Sequence, residues 1–255
     1  MTHLSVNVNV AALLRNRRDH AWPDIVGLGR TALQAGAFGI TVHPRPDQRH
    51  IRPSDVWDLR TMLDAEFPDR ELNVEGFPTS DFLALAHDVR ADQITLVPDD
   101  PAQATSDHGW DFTAEKAFLM PIIADLKFNR HRVALFADPD ATHMKAAAET
   151  GADRVELYTG PYGSAYDDPV AQTRALDRLE DAARAAANEG LGINAGHDLT
   201  VEGTARLVGR VPSIDEVSIG HALFCDALSH GMAETVRRYL VSCDGQMNPS
   251  TRDCS

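Results

Sequence analysis

Lysine is almost missing from this chain: Lys116, Lys127 and Lys145 are the only three among 255 residues, and arginine supplies the other basic side chains. None of the three stands at the end of a stretch that reads as a strand, which disfavours an aldolase working through a lysine imine. Cysteine is scarce too. Cys225, Cys243 and Cys254 have no metal-type spacing, and an odd count builds no disulfide framework, so a reducing compartment is expected. No apolar run approaches the roughly 18 residues of a membrane span. Met1-Thr2-His3-Leu4 lacks the charged-then-apolar order of a signal peptide, so the expected location is cytoplasmic with no membrane partner. Positive charge is in deficit, with a net charge of −14, which argues against a nucleic-acid partner. There is no P-loop and no Gly-x-Gly-x-x-Gly after a strand, so no nucleotide cofactor is indicated. Linkers and low-complexity segments are absent as well. One domain over residues 1–241 is expected, with 242–255 as a disordered tail.

Against that background, His43-Pro44-Arg45-Pro46-Asp47-Gln48-Arg49-His50 stands out. It follows an apolar run that reads as a buried strand, and Pro53 opens a helical pattern just after it. Two imidazoles and two guanidiniums thus sit on a proline-stiffened turn at a strand's carboxyl end, where α/β folds place their chemistry. Guanidinium offers a planar fork to phosphate or carboxylate, and imidazole moves protons near neutrality.

The rest of the chain repeats the same unit. Strands are expected at 4–10, 38–43, 71–75, 93–97, 132–138, 154–158, 192–195 and 216–219. Helical patterns follow at 23–34, 53–66, 79–90, 113–128, 139–150, 170–189, 200–208 and 222–240, with Gly36 placed to end the first. Residues 99–110 make a long loop that would serve as a lid. Eight strand-then-helix units with no hairpin imply a parallel sheet, and about 250 residues suffice to close it into a single (β/α)8 TIM barrel.

One alternating set of strand residues is polar: Asn7 and Asn9, Thr41 and His43, Asn73 and Glu75, Glu156 and Tyr158, and Asn194. These either face the barrel axis as a hydrogen-bonded, reactive lining or face the helices with the aliphatic set inside; the first is favoured because the helix layer wants the aliphatic residues. His43, Glu75 and His197 then end strands two, three and seven. A carboxylate walled in by a barrel has a raised pKa and imidazoles start near neutrality, so the trio can shuttle protons. A two-histidine, one-carboxylate metal site is the rival, but no short-spaced ligand motif supports it and no metal is expected. His50 and Arg45, expected at the rim, suit phosphate holding. Asn194-Ala-Gly-His-Asp198 and Ser218-Ile-Gly-His221 end strands seven and eight, where barrels bind phosphate on backbone N–H groups.

Taken together, Asn7-x-Asn9 with Leu14-Arg-Asn16, Gly39-Ile-Thr-Val-His-Pro-Arg-Pro-Asp-Gln-Arg-His50, Asn73-Val-Glu75, Leu96-Val-Pro98, Asn194-Ala-Gly-His197 and Gly220-His-Ala222 resemble the pyridoxine 5′-phosphate synthase family of vitamin B6 biosynthesis. The resemblance runs in order over nearly the whole chain. It implies a cofactor-free condensation of 1-deoxy-D-xylulose 5-phosphate with 3-amino-2-oxopropyl phosphate to pyridoxine 5′-phosphate, on a barrel with extra helices that assembles as a homo-octamer. It further implies His43 and Glu75 as proton acceptors and His197 as proton donor; Glu156, in the inward polar set, is a candidate supporting residue. Asn7, Arg18, Asp198, Gly220 and His221 would hold the amino-ketone phosphate; Asn9, Arg45, His50 and Thr105 would hold the pentulose phosphate.

Three departures from the family's pattern stand out. Asn9-Val10 replaces a common Asp-His pair, Asp198 replaces a glycine, and Cys225-Asp226 replaces a common Gly-Arg. Asn9 still hydrogen-bonds a hydroxyl, and Asp198, whose charge would repel phosphate, is expected to turn its side chain away and cap the helix that begins near Thr200, leaving only its N–H for the ligand. Two rival functions fit the residues less well: a phosphosugar isomerase or epimerase acting on one substrate, and a barrel that binds phosphorylated metabolites without turnover.

Overall fold

The computed structural model describes residues 1–18, 20–99 and 106–246. Its eight strands are β1 (His3–Asn7), β2 (Gly39–Val42), β3 (Glu71–Gly76), β4 (Gln93–Leu96), β5 (Arg132–Ala137), β6 (Arg154–Tyr158), β7 (Gly192–Gly196) and β8 (Glu216–Ile219). All pair in parallel in chain order, and β8 closes on β1 through Leu4↔Val217 and Ser5↔Ser218. Around this barrel lie α1 (Asn9–Arg15), α2 (Ile25–Gln34), α3 (Pro53–Glu66), α4 (Ser80–Asp88), α5 (Lys116–Phe128), α6 (Met144–Ala148), α7 (Gly160–Ser164), α8 (Pro169–Asn188), α9 (Val201–Arg210), α10 (His221–His230) and α11 (Met232–Cys243).

The polar set faces inward. Ser5 and Thr41 share a hydroxyl hydrogen bond of 2.7 Å, Asn73 donates to Thr41 at 3.3 Å, and Thr95 donates to Asn73 at 3.0 Å. Gln93 accepts from Asn194 at 3.1 Å and from Arg132 at 2.8 Å. The aliphatic set points the other way: a methyl added to Gly29 of α2 would lie 3.7 Å from Ile40 Cδ1 and 3.1 Å from Leu59 of α3. Pairing inside the barrel is what makes this arrangement tolerable, since each orphaned polar group would cost about 1–3 kcal/mol. At the N-terminal ends of the strands, Glu71, Arg132, Arg154 and Glu216 form a charged plug. Burial and Glu71 raise the Glu216 carboxyl to about 7, against the pull of the two arginines. This end of a barrel serves stability, whereas the opposite end carries chemistry.

Several boundaries differ from the sequence expectation for physical reasons. The first strand stops at Asn7, because the Asn7 side chain accepts from the Asn9 N–H at 3.0 Å and turns the chain into α1. The pattern 113–128 starts its helix only at Lys116, since Asp111 takes the N–H groups of Thr113 and Ala114, both at 3.0 Å. The final helical pattern is two helices, broken at Gly231 with φ of +78°. Its second helix continues through the buried Ser242 and Cys243, two residues past the boundary expected for the tail; residues 247–255 lie outside the described ones. Between β6 and α8, outside the helical patterns expected from the sequence, the chain forms α7. Thr79 and Thr200 cap α4 and α9 by accepting from Phe82 and Gly203 N–H groups at 3.2 and 3.0 Å.

Candidate active site

The carboxyl ends of the strands bring the candidate residues together around two adjoining hollows. The smaller, about 380 Å3, is lined by Asn7, Asn9, Val10, Leu13, His50, Glu75, Glu156, His197, Asp198, Ser218, Gly220 and His221. The larger, about 690 Å3, is lined by His43, Arg45, Gln48, Gly76, Thr79, Ser80 and Asp99 among others. They meet where the His43 and His50 rings stand 6.0 Å apart and where Glu75 gives way to Gly76. A third hollow of about 900 Å3 lies by the charged plug, around His87, Asp125 and His131, and holds none of the candidate proton carriers.

The loop after β2 is shaped by its own backbone and by α1. The His43 N–H donates to Asn9 Oδ1 at 2.9 Å, and the Gln48 N–H donates to Arg45 O at 2.9 Å. The Ile51 N–H donates to His50 Nδ1 at 3.0 Å, so neutral His50 carries its proton on Nε2. Arg45 is buried rather than at the rim, with Nη2 2.5 Å from Asp99 Oδ2. Ser106 donates to the same oxygen at 2.8 Å, and His43 Nε2 is 3.6 Å from it. Asp99 Oδ1 lacks a hydrogen-bond partner among the described residues. Burial raises the Asp99 carboxyl even though Arg45 opposes the shift.

The His43, His50 and His197 imidazoles are all shifted toward the neutral form. Burial, then Arg45, His50 and His197, pushes His43 well below its ordinary value. Burial, then Arg45 and Arg49, takes His50 to about 4. Burial also lowers His197, with Asp198 opposing. The carboxyls move the other way. Burial and then the charges of Glu156, Asp99 and Glu216 raise Glu75 well above the ordinary range, while Asn7 Nδ2 reaches its Oε2 at 3.5 Å. Burial and Glu216 raise Glu156 to about 8, and its Oε2 lacks a hydrogen-bond partner among the described residues. Glycine at 196 leaves room for this carboxyl, because a methyl there would sit 2.5 Å from Glu156 Oε1.

His197 and Asp198 both adopt left-handed backbone, with φ of +85° and +54°. Such conformations store strain in non-glycine residues and cluster at functional sites. The His197 ring rests against Phe136 and Tyr158, with centroids 5.2 and 5.3 Å away. Thr159 donates its hydroxyl to the carbonyls of Gly196 and His197, fixing the turn. Gly220 abuts the end of β1: a methyl on it would lie 3.1 Å from Asn7 O. Backbone from β8 and the amide of Asn7 therefore share one wall of the smaller hollow.

Some expectations change. Thr200, not Asp198, caps α9, and the Asp198 side chain is exposed at the edge of the hollow. Arg18 is exposed on the turn after α1 and lines neither hollow. His50 lines the smaller hollow and Arg45 the larger, so a ligand held by both reaches across the place where the hollows meet. Thr105 and part of the 99–110 loop lie outside the described residues. Asp226 accepts from the Tyr239 hydroxyl at 3.3 Å and Cys225 is exposed, so this departure belongs to the packing of α10 on α11. Leu13 and Asp99 carry no sequence expectation of their own, and Ser218 enters only as the first residue of Ser218-Ile-Gly-His221. Ser218 and Asp99 had a weak signal, as polar residues at or just beyond strand ends. Among the described residues, no three His, Cys, Asp or Glu side chains gather as a metal-binding group.

The buried carboxyls make a pH prediction. Glu156 gives up its proton near 4.5 when unfolded and near 8 in the fold, so the native state holds the extra proton between those values and loses stability as pH rises through them. Glu156→Gln removes this loss. Urea midpoints should show the variant gaining on the parent between about pH 5 and about pH 9; a constant difference would show that Glu156 does not titrate in this window.

The family model for pyridoxal phosphate biosynthesis protein PdxJ matches residues 4–245. A pyridoxine 5′-phosphate synthase of Brucella anthropi is 62% identical over 239 residues, covering 94% of this chain and 98% of the relative. That of Brucella abortus is 60% identical over 242 residues, covering 95% and 98%. Among solved structures, the tryptophan synthase α subunit of Legionella pneumophila is similar with a TM-score of 0.63 at 15% identity, covering 96% of this chain and 94% of the other. Phosphoribosyl anthranilate isomerase of Thermotoga maritima is similar with a TM-score of 0.56 at 13% identity, covering 96% and 100%. Those two likenesses concern the fold alone.

Proposed function

Because the chain belongs to the PdxJ family of pyridoxal phosphate biosynthesis proteins, we infer that it is an enzyme condensing 1-deoxy-D-xylulose 5-phosphate with 3-amino-2-oxopropyl phosphate to pyridoxine 5′-phosphate, phosphate and water. One observation supports the division of labour: His43 lines one of two adjoining hollows and Glu75 and His197 line the other, so two substrates seated side by side have proton carriers on both sides. The amine of one substrate forms the imine with the ketone of the other, and the enzyme need supply no lysine. Phosphate elimination and ring closure then require only protons to be moved.

Glu75 is the base for the incoming substrate. An ammonium group entering the smaller hollow brings positive charge beside it and favours the carboxylate, and a carboxylate of high proton affinity is the stronger base. His43, neutral and buried, accepts a second proton. His197 takes up a proton in turn and delivers it to a departing oxygen. Glu156, protonated below about 8, offers a hydrogen bond to developing negative charge nearby. Asn7, Gly220 and His221 hold the amino-ketone phosphate, with Asp198 at the edge and Arg18 assigned by resemblance. Asn9, Arg45, His50 and Thr105 hold the pentulose phosphate.

The same family reading gives one catalytic domain, a cytoplasmic homo-octamer and no cofactor. Exposed Leu14, Trp22 and Trp57 support self-association. Expression of the chain in a bacterium that lacks its own synthase should restore growth without pyridoxine. Failure to do so by soluble, folded protein would refute the assignment.

A further inference from the structure

Helix α1 grips the 43–50 loop at both ends. Asn9 takes the His43 N–H at the start. At the far end, Asn16 Nδ2 lies 3.1, 3.2 and 2.7 Å from the carbonyl oxygens of Gln48, Arg49 and His50. Its Oδ1 in turn accepts from Arg15 Nε at 3.1 Å. Arg15 forks onto Asp55 of α3 at 2.5 and 2.8 Å and reaches His50 O at 3.3 Å. Asp55 also takes the Arg52 N–H at 2.8 Å, so its carboxylate closes the first turn of α3 and anchors α1 together. The Arg15–Asp55 pair is buried, with both side chains 9% exposed.

This is more fastening than a solvated loop needs. Gln48 stands at φ of +53°, and three successive carbonyls converge on a single amide. The segment so held carries Arg45 on one side and His50 on the other, and it forms the partition between the two hollows. Small shifts of such a partition translate directly into ligand affinity, because groups that are already in place spare the ligand the cost of ordering them.

We propose that Asn16, oriented by the Arg15–Asp55 pair, is a positioning residue that fixes the 43–50 loop and thereby sets the affinity for the pentulose phosphate, the substrate that lies against Arg45 and His50. The proposal rests on the two-substrate reading above. Arg15 and Asp55 are poor test positions, since removing either partner leaves a buried charge and threatens folding. Asn16 is half-buried and neutral. Asn16→Ala should raise KM for the pentulose phosphate about tenfold, the worth of one net hydrogen bond, while KM for the amino-ketone phosphate and kcat stay within about twofold. Asn16→Asp, of the same shape but with no donor, should be worse on the same single constant.

Hydrogen exchange supplies a readout independent of turnover. The backbone amides of His43, Arg45, Asp47, Gln48, Arg49 and His50 should exchange about tenfold faster in Asn16→Ala, with the barrel strands unchanged. Unaltered exchange, an unaltered pentulose KM, or both KM values rising together with a general loss of stability would overturn the proposal. If the parent protein does not turn over the substrate pair, the functional reading fails, and the exchange result still decides whether the clasp holds the loop.

Discussion

Glu75→Gln is expected to lower kcat at least about a hundredfold while leaving both KM values within about threefold. Glutamine keeps the length and the acceptor that Asn7 Nδ2 approaches at 3.5 Å, so the wall of the smaller hollow should survive. What disappears is a group able to take a proton. The side chain is buried and surrounded by Glu156, Asp99 and Glu216, whose charges raise its proton affinity. That environment makes a strong base once a cationic substrate is bound. Single-turnover and steady-state kinetics on the same preparation separate the two effects. Unchanged turnover would remove Glu75 from the mechanism.

His197→Asn should cost about a hundredfold to a thousandfold in kcat, the range for losing a positioned acid–base group. Asparagine is the informative replacement because it tolerates the left-handed backbone that His197 adopts at φ of +85°. The turn held by Thr159 should therefore persist, and the loss should report the imidazole alone. Burial lowers the His197 pKa, so the parent enzyme starts its cycle with this ring neutral at physiological pH. An acidic limb of kcat/KM that moves in the variant supports the assignment. A variant that keeps both its rate and its pH profile contradicts it.

The barrel was legible because strand and helix periods alternate eight times, and the inward polar set was legible because Asn7, Thr41, Asn73 and Asn194 recur at strand positions of one parity. Local alternation misled at the first strand: Asn-Val-Asn-Val keeps period two through Val10, while the Asn7 side chain has already turned the backbone. Spatial placement of most candidates followed from strand ends. Asn7, Asn9, Glu75, His197, Gly220 and His221 share one hollow although they span nearly the whole chain. Competition between neighbours was not legible. Thr200 outcompetes Asp198 for the cap of α9, and the buried Asp99 claims Arg45. The clasp on the 43–50 loop was hidden for another reason: Arg15 and Asp55 lie 40 residues apart, and no local pattern announces that pairing.

The central claim is that two phosphorylated substrates are joined across one seam by imidazole and carboxyl groups of this chain. Its most direct test is the stoichiometry of phosphate release and pyridoxine 5′-phosphate formation by the purified protein, offered each substrate singly and then both. The account predicts that phosphate and product appear one for one, and only when both substrates are present. Release of phosphate, or conversion to an isomer, from either substrate alone would contradict it.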